Sequence, residues 1–185
     1  SPAGGEIWQV GETQELRWRT VGTIPRVRIE FSSDQFRKDI QVIEPSLGNT
    51  GFYAWQVPNH IRSGLLMRIT DVRNSRISDA SRAPFKIVGN LKMLYPQGGE
   101  IWRVGSRQKI AWETVGDIPE VRLEYSTDNF VSTMPISSKI LNSGSYDWEV
   151  PDLSGRKVKF RVIDARDPSV YAESSYAAEV RGALE

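Results

Sequence analysis

The chain states one sequence twice. Residues 2–36 (PAGGEIWQVGETQELRWRTVGTIPRVRIEFSSDQF) return as residues 96–130 (PQGGEIWRVGSRQKIAWETVGDIPEVRLEYSTDNF), with 21 of 35 positions identical. Further on, TGFYAWQVP at 50–58 returns as SGSYDWEVP at 143–151. The offset of 93 or 94 residues is too long for a solenoid or propeller unit, which takes roughly 20–50. It suits one small domain of about 100 residues with its own core. The expected organisation is therefore two tandem domains, residues 1–89 and 90–185. A residue present in both copies is most simply explained by the shared fold, so a specific site belongs among residues that differ.

Strand-period alternation runs through the repeated parts. Leu16 and Trp18 alternate with Glu15, Arg17 and Arg19, and Ile110 and Trp112 with Lys109 and Glu113. Val27, Ile29 and Phe31 alternate with Arg26, Arg28 and Glu30, answered by Val121, Leu123 and Tyr125. Tyr53, Trp55 and Val57 form a third set, matched by Tyr146, Trp148 and Val150. The apolar set is kept while the outward set even changes sign, as with Glu15 and Lys109 or Arg26 and Glu120. This is how half-buried antiparallel strands behave. Further strands are expected at 40–43, 65–70 and 85–88, and at 138–141, 158–163 and 177–180. Turn chemistry (Gly4-Gly5, Gly11, Gly22 with Pro25, Asp34-Gln35, Gly48-Asn49, Pro58-Asn59) separates the runs. About seven short strands per copy and no amphipathic helix predict an all-β chain of two tandem β-sandwiches of immunoglobulin or fibronectin III type.

Only Gly89 and Asn90 read as a link, because Leu91, Met93 and Tyr95 already alternate as a first strand of copy two. Copy one has no counterpart to residues 92–94, which predicts an incomplete first strand with an exposed sheet edge beside it. Ser1-Pro2 falls directly on the repeat and Leu184-Glu185 resembles a cloning-site remnant, so the chain reads as a piece of a longer protein.

Composition narrows function chiefly by exclusion. The 185 residues contain no Cys, which rules out a disulfide framework and thiol chemistry without fixing a compartment. No apolar run is long enough for a membrane-spanning helix, so no membrane insertion is expected from this segment. A net charge of +1, with copy one at +3 and copy two at −2, argues against nucleic acid as a partner.

The six Trp fall into repeated pairs: Trp8 with Trp102, Trp18 with Trp112, Trp55 with Trp148. Burying one indole of about 200 Å² contributes up to about 5 kcal/mol, so core packing explains them without sugar stacking. Glu6 and Glu100 recur at the same GGE position and suggest a turn or capping hydrogen bond. His60 is the single His; it sits in an expected solvated loop with no nucleophile motif around it. One His and no Cys exclude the common zinc sites. Asp71, Asn74 and Asp79, with Asp164 and Asp167, offer calcium-type oxygens in an expected loop, but their spacing is not an EF-hand's. No catalytic residue, metal site or cofactor is assigned.

What the repeat leaves over is short. Phe52 aligns with Ser145 and Tyr171 with Ser78, while Tyr176 falls in a poorly aligning tail. Arg62, Arg68, Arg73, Arg76, Arg82 and Lys86 make the second half of copy one basic. The binding candidates are thus Phe52, His60, Arg73, Arg76, Tyr171 and Tyr176.

The ordered pattern P-x-G-G-E-x-W-x-x-G, a Trp-bearing strand, V-x-[IL]-E-[FY]-S-x-D, G-x-Y-x-W-x-V-P and R-[IV]-x-D carries a family resemblance across nearly the whole chain. It resembles the immunoglobulin-like module of fungal Ser/Thr-rich, GPI-anchored cell-wall proteins and of multi-repeat bacterial and archaeal surface proteins. Copy two departs near its end, where residues 85–87 have no clear equivalent around Ala178. The resemblance implies a spacer or adhesive segment of a large exported protein, beside enzymes or anchors, with no catalytic motif to transfer. The resulting expectation is a non-catalytic, monomeric tandem module, extracellular or at the cell surface, whose partners are other domains of the same long protein. The alternative is a carbohydrate- or protein-binding accessory module of an extracellular enzyme or wall-associated protein, its partner a cell-surface polysaccharide or protein and its site expected at the interdomain groove or on the Tyr171 to Tyr176 segment.

Overall fold

The computed structural model describes residues 1–182, so the Leu184-Glu185 tail lies outside the described residues. The chain divides into two compact units, Ser1–Val88 and Gly89–Glu185. Every regular element among the described residues is a β-strand.

Unit 1 contains β1 (Ile7–Gln9), β2 (Thr13–Arg17), β3 (Arg26–Ser32), β4 (Ile40–Gly48), β5 (Phe52–Gln56), β6 (Arg62–Asp71), β7 (Asn74–Ala80) and β8 (Phe85–Val88). Its larger sheet has the order β1-β8-β6-β3-β4, with β7 also paired to β6; its smaller sheet is β2-β5. The alternating residues meet between the sheets. Leu16 from β2 and Trp55 from β5 pack with Trp8, Ile29, Phe31, Leu65, Phe85 and Ile87 from the larger sheet.

Unit 2 contains β9 (Asn90–Tyr95), β10 (Ile101–Arg103), β11 (Arg107–Val115), β12 (Glu120–Ser126), β13 (Met134–Leu141), β14 (Ser145–Glu149), β15 (Lys157–Asp164), β16 (Tyr171–Glu173) and β17 (Ala178–Arg181). Its larger sheet, β10-β17-β15-β12-β13 with β16 on β15, repeats that of unit 1. Its smaller sheet has three strands, β14-β11-β9. Each unit is a two-layer sandwich of immunoglobulin or fibronectin III type.

Several expectations need correction. The strand count is eight in unit 1 and nine in unit 2. The extra strands are β1 and β10, three-residue segments too short to show a period, and β7 and β16, hairpin returns of β6 and β15. β1 and β10 also pair parallel, Trp8 beside Ile87 and Trp102 beside Val180, within otherwise antiparallel sheets. Residues 74–80, read as a loop of turn-forming Asn and Asp, form β7, because the backbone ladder to β6 holds them extended although none of the seven is buried. Asn90 is the first residue of β9, leaving Gly89 alone between β8 and β9. The last strand of copy two does have its equivalent: Ala178 occupies the place of Phe85, and Val180 that of Ile87.

That replacement is compensated within each core. In unit 1 the Phe85 ring lies 4.7 Å from Trp8. In unit 2, where Ala178 has no ring, Tyr95 approaches Trp102 at 6.1 Å and its hydroxyl accepts the indole N–H at 3.4 Å.

Candidate functional site

Most of the polar chemistry is spent twice, once per unit, on holding turns. Glu6 accepts from the Ala3 and Gly4 N–H groups at 2.7 and 2.8 Å, and Glu100 from Gln97 and Gly98, both at 2.8 Å. The capping role expected for the GGE glutamates is thus present in both units. Burial acts to raise the Glu6 pKa, but the Ala3, Glu6 and Gly4 backbone N–H groups outweigh it and hold the carboxyl below its ordinary value. The Trp18 indole donates to Asn49 Oδ1, and the Trp112 indole to Asn142 Oδ1, each at 2.7 Å. Each Asn then donates to a backbone carbonyl, Ile24 at 2.8 Å and Ile118 at 2.7 Å.

The S-x-D-x-F turn is a second duplicated device. Ser32 Oγ accepts from the Phe36 N–H at 2.8 Å, as Ser126 does from Phe130. Gln35 and Phe36 both adopt positive φ (60° and 62°), as do Asn129 and Phe130 (58° and 64°). This left-handed pair aims the Phe ring under an arginine: Arg68 lies 4.1 Å from the Phe36 centroid, and Arg161 3.9 Å from that of Phe130. Each guanidinium also meets carboxylate. Arg68 Nε donates to the buried Glu30 at 2.7 Å, and Arg161 binds Glu124 at 2.9 Å and Glu173 at 2.6 Å. The alternation that places Glu30 and Glu124 on strands was legible; the Phe and Arg partners, far away in sequence, were not.

The turn carboxylates are strongly acidic. The Ser132 backbone N–H and the Ser126 hydroxyl hold Asp128 down to about 2. Asp39, present in copy one alone, is also held at about 2, first by the Ser33 hydroxyl and then by Gln41, with Arg62 at 3.0 Å adding charge.

The six binding candidates do not converge. Phe52 begins β5 and is 51% exposed. His60 is half-buried rather than freely solvated, its ring edge-on to Phe31 at 5.3 Å; it occupies the position of Leu153. Arg73 donates to the Thr23 carbonyl at 2.7 Å, and Arg166 contacts the Asp117 carbonyl in the same way. Arg73 is thus one of a duplicated pair, since the offset that aligns Tyr171 with Ser78 also aligns Arg166 with Arg73. Arg76 is exposed on β7. Tyr171 lies 4.8 Å from the Arg161 guanidinium and so joins the Phe130 cluster. Tyr176 is 73% exposed, but its backbone N–H donates to the Gln97 carbonyl at 3.0 Å. It takes the structural place of Ala83, packed against Gly98 as Ala83 is against Gly4.

Asp71 and Asp164 are buried and accept from the backbone N–H groups of Arg73 and Arg166, each at 2.8 Å. Among the described residues no group of three or more His, Cys, Asp or Glu could hold a metal ion.

Unit 1 carries a groove of about 660 Å³. It is lined by Trp18, the buried Val27 and Met67, the half-buried Ile69, and the exposed Ile77, Arg19 and Arg82. In unit 2 the corresponding space is filled by β9, whose Leu91 and Met93 are each 4% exposed.

No protein-family model matches the chain, and no curated protein matches it. Among solved structures it is similar to the fibronectin(III)-like modules of Clostridium thermocellum CbhA: 16% identity, TM-score 0.36, covering 100% of this chain and 94% of that one. It is also similar to the N-terminal four immunoglobulin domains of Dscam1 isoform 9.44, at 13% identity and TM-score 0.45, covering 96% of this chain and 42% of that one. A titin I-band fragment, I67-I69, matches at 16% identity and TM-score 0.40, over 95% of this chain and 62% of that one.

Proposed function

We propose that the chain is a non-catalytic structural module, extracellular or at the cell surface, that extends and positions other parts of a longer protein, with adhesion as an added role. The observation that carries this reading is the double use of its reactive side chains as scaffold. Glu6 and Glu100, Arg68 and Arg161, Arg73 and Arg166 each satisfy a turn or strand of their own unit. The repeat's resemblance to modules of fungal cell-wall and prokaryotic surface proteins supports the same reading.

A glycan array and a wall-polysaccharide pulldown test it. The wild-type chain is expected to bind neither reproducibly. Reproducible binding lost on Tyr176→Ala would replace the spacer reading with that of an accessory binding module. Tyr176 suits this control because its side chain is exposed, whereas Tyr171→Ala would also disturb the Arg161 cluster.

A further inference from the structure

Both units carry an arginine cluster on the outer face of the larger sheet, and in unit 1 part of its complement is missing. In unit 2, Arg161 on β15 stands opposite Glu173 on β16, and Ile163 opposite Tyr171. Arg161 directs Nε and Nη2 at the Glu173 carboxylate, at 3.0 and 2.6 Å, and Nη1 at Glu124, at 2.9 Å. The Phe130 and Tyr171 rings lie 3.9 and 4.8 Å from the same guanidinium. Two of these four partners, Tyr171 and Glu173, come from the hairpin strand β16.

In unit 1 the hairpin strand supplies neither. Arg68 on β6 stands opposite Ala80 on β7, and Thr70 opposite Ser78. Ala80 thus has the place of Glu173, and Ser78 that of Tyr171; both are exposed. Arg68 turns Nε and Nη2 to Glu30, which Arg28 also meets at 2.7 Å. Two guanidiniums therefore share one buried carboxylate, where unit 2 has Glu124 and Glu173 for Arg122 and Arg161. The Arg28 and Arg68 side chains remain 42% and 28% exposed. Arg76, two residues before Ser78 on the same face of β7, adds a third cation where unit 2 has Ser169.

An excess of guanidinium on an open face attracts carboxylate, which the planar fork binds through two N–H groups. A carboxylate arriving over Ala80 would let Arg68 take up the arrangement of Arg161, Nε and Nη2 to the newcomer and Nη1 to Glu30. Ser78 leaves room for a ring against the guanidinium. The two groups absent from unit 1 are side chains two positions apart on one extended strand, a spacing that a peptide supplies. We propose that this face of unit 1 binds an acidic peptide segment of a partner protein, of the form aromatic-x-Glu, with its carboxylate in the place of Glu173 and its ring in the place of Tyr171. This gives the adhesive role a partner and rests on that part of the reading above; its failure would leave the spacer role standing, which is tested with glycans.

The probe is the acetylated and amidated peptide Ser-Val-Tyr-Ala-Glu-Ser, the sequence of residues 169–174. It is titrated into the full chain while backbone amide NMR shifts are followed. Saturable shifts are expected at residues 66–70 and 78–80. The same peptide with Gln for Glu should bind at least about tenfold more weakly. Ala80→Glu, which provides the carboxylate in cis, should weaken binding of the original peptide by a similar factor and raise the Tm of the unit 1 transition, so that lost binding is not lost folding. Absence of saturable shifts, equal binding of the Glu and Gln peptides, or unchanged affinity in Ala80→Glu would each overturn the proposal. So would polygalacturonate shifting these amides where the peptide does not, which would make the partner an acidic polysaccharide.

Discussion

At the scale of single residues, the duplicated turns tie stability to pH and to one guanidinium per unit. Asp128 has a folded pKa of about 2, against about 3.9 in an unfolded chain. A depressed carboxylate pKa contributes stability that is full above the unfolded value and is lost as pH falls through the folded one. Stability should therefore decline between about pH 5 and pH 2. Asp128→Asn, followed by urea unfolding across that range, is expected to flatten the acid limb while lowering the plateau at neutral pH. Arg161 makes a sharper case, because it stands between Glu124 and Glu173 with its own side chain 20% exposed. Arg161→Ala leaves those carboxylates facing each other and removes the cover of Phe130. The expected cost is about 3 kcal/mol by denaturant unfolding. Arg161→Lys should recover less than half of it, since a point charge replaces neither the planar fork nor the stacking surface. The alternation of charged and apolar residues predicted the two faces of the strands, but not that Glu30, on the outward face, is covered by Arg28 and Arg68 and only 2% exposed. It could not reveal that Phe130 and Arg161, 31 positions apart, share a contact.

At the scale of elements, the GGE turns show a short motif fixing the entry of a strand. A Cβ on Gly98, where φ is +110°, would lie 2.1 Å from the Tyr176 Cβ and 2.7 Å from Tyr176 backbone. Gly99 next to it also has positive φ, +86°, but open space around it. Gly98→Ala should thus cost at least about 3 kcal/mol, while Gly99→Ala costs about 1 kcal/mol of backbone strain alone. Similar losses for both, measured by thermal unfolding, would count against close packing as the reason for the first glycine. Longer strands were legible because the pleat imposes a period of two wherever one face is buried. The three-residue parallel strands β1 and β10 were not, since their place is set by the β8 and β17 edges they pair with. β7 escaped for the opposite reason: all seven of its residues are exposed, so it carries no hydrophobic alternation to read.

At the scale of the whole molecule, two units of one sequence pattern differ in how completely their smaller sheet is built, two strands in unit 1 and three in unit 2. Each has its own core, so residues 1–88 and 89–182 expressed separately should both fold. Unit 2 should be the more stable by several °C in Tm, with Leu91 and Met93 buried over its core. A calorimetric scan of the two fragments checks this; a higher Tm for unit 1 would contradict it. By itself the sequence determined the number of units, their all-β character and the set of inward side chains, because these follow from local periodicity and from what the two copies share. The tertiary structure decided which of the candidate residues are committed to the scaffold and which stay open to solvent. Trp18 and Trp112 sit in nearly the same local sequence and make the same indole hydrogen bond, yet one is half-buried and the other 2% exposed. In unit 2 burial at that position comes from β9, whose absence from copy one the repeat already announced; what only the fold shows is that β9 lies over this tryptophan, because contact between separate strands is not written in the residues around it.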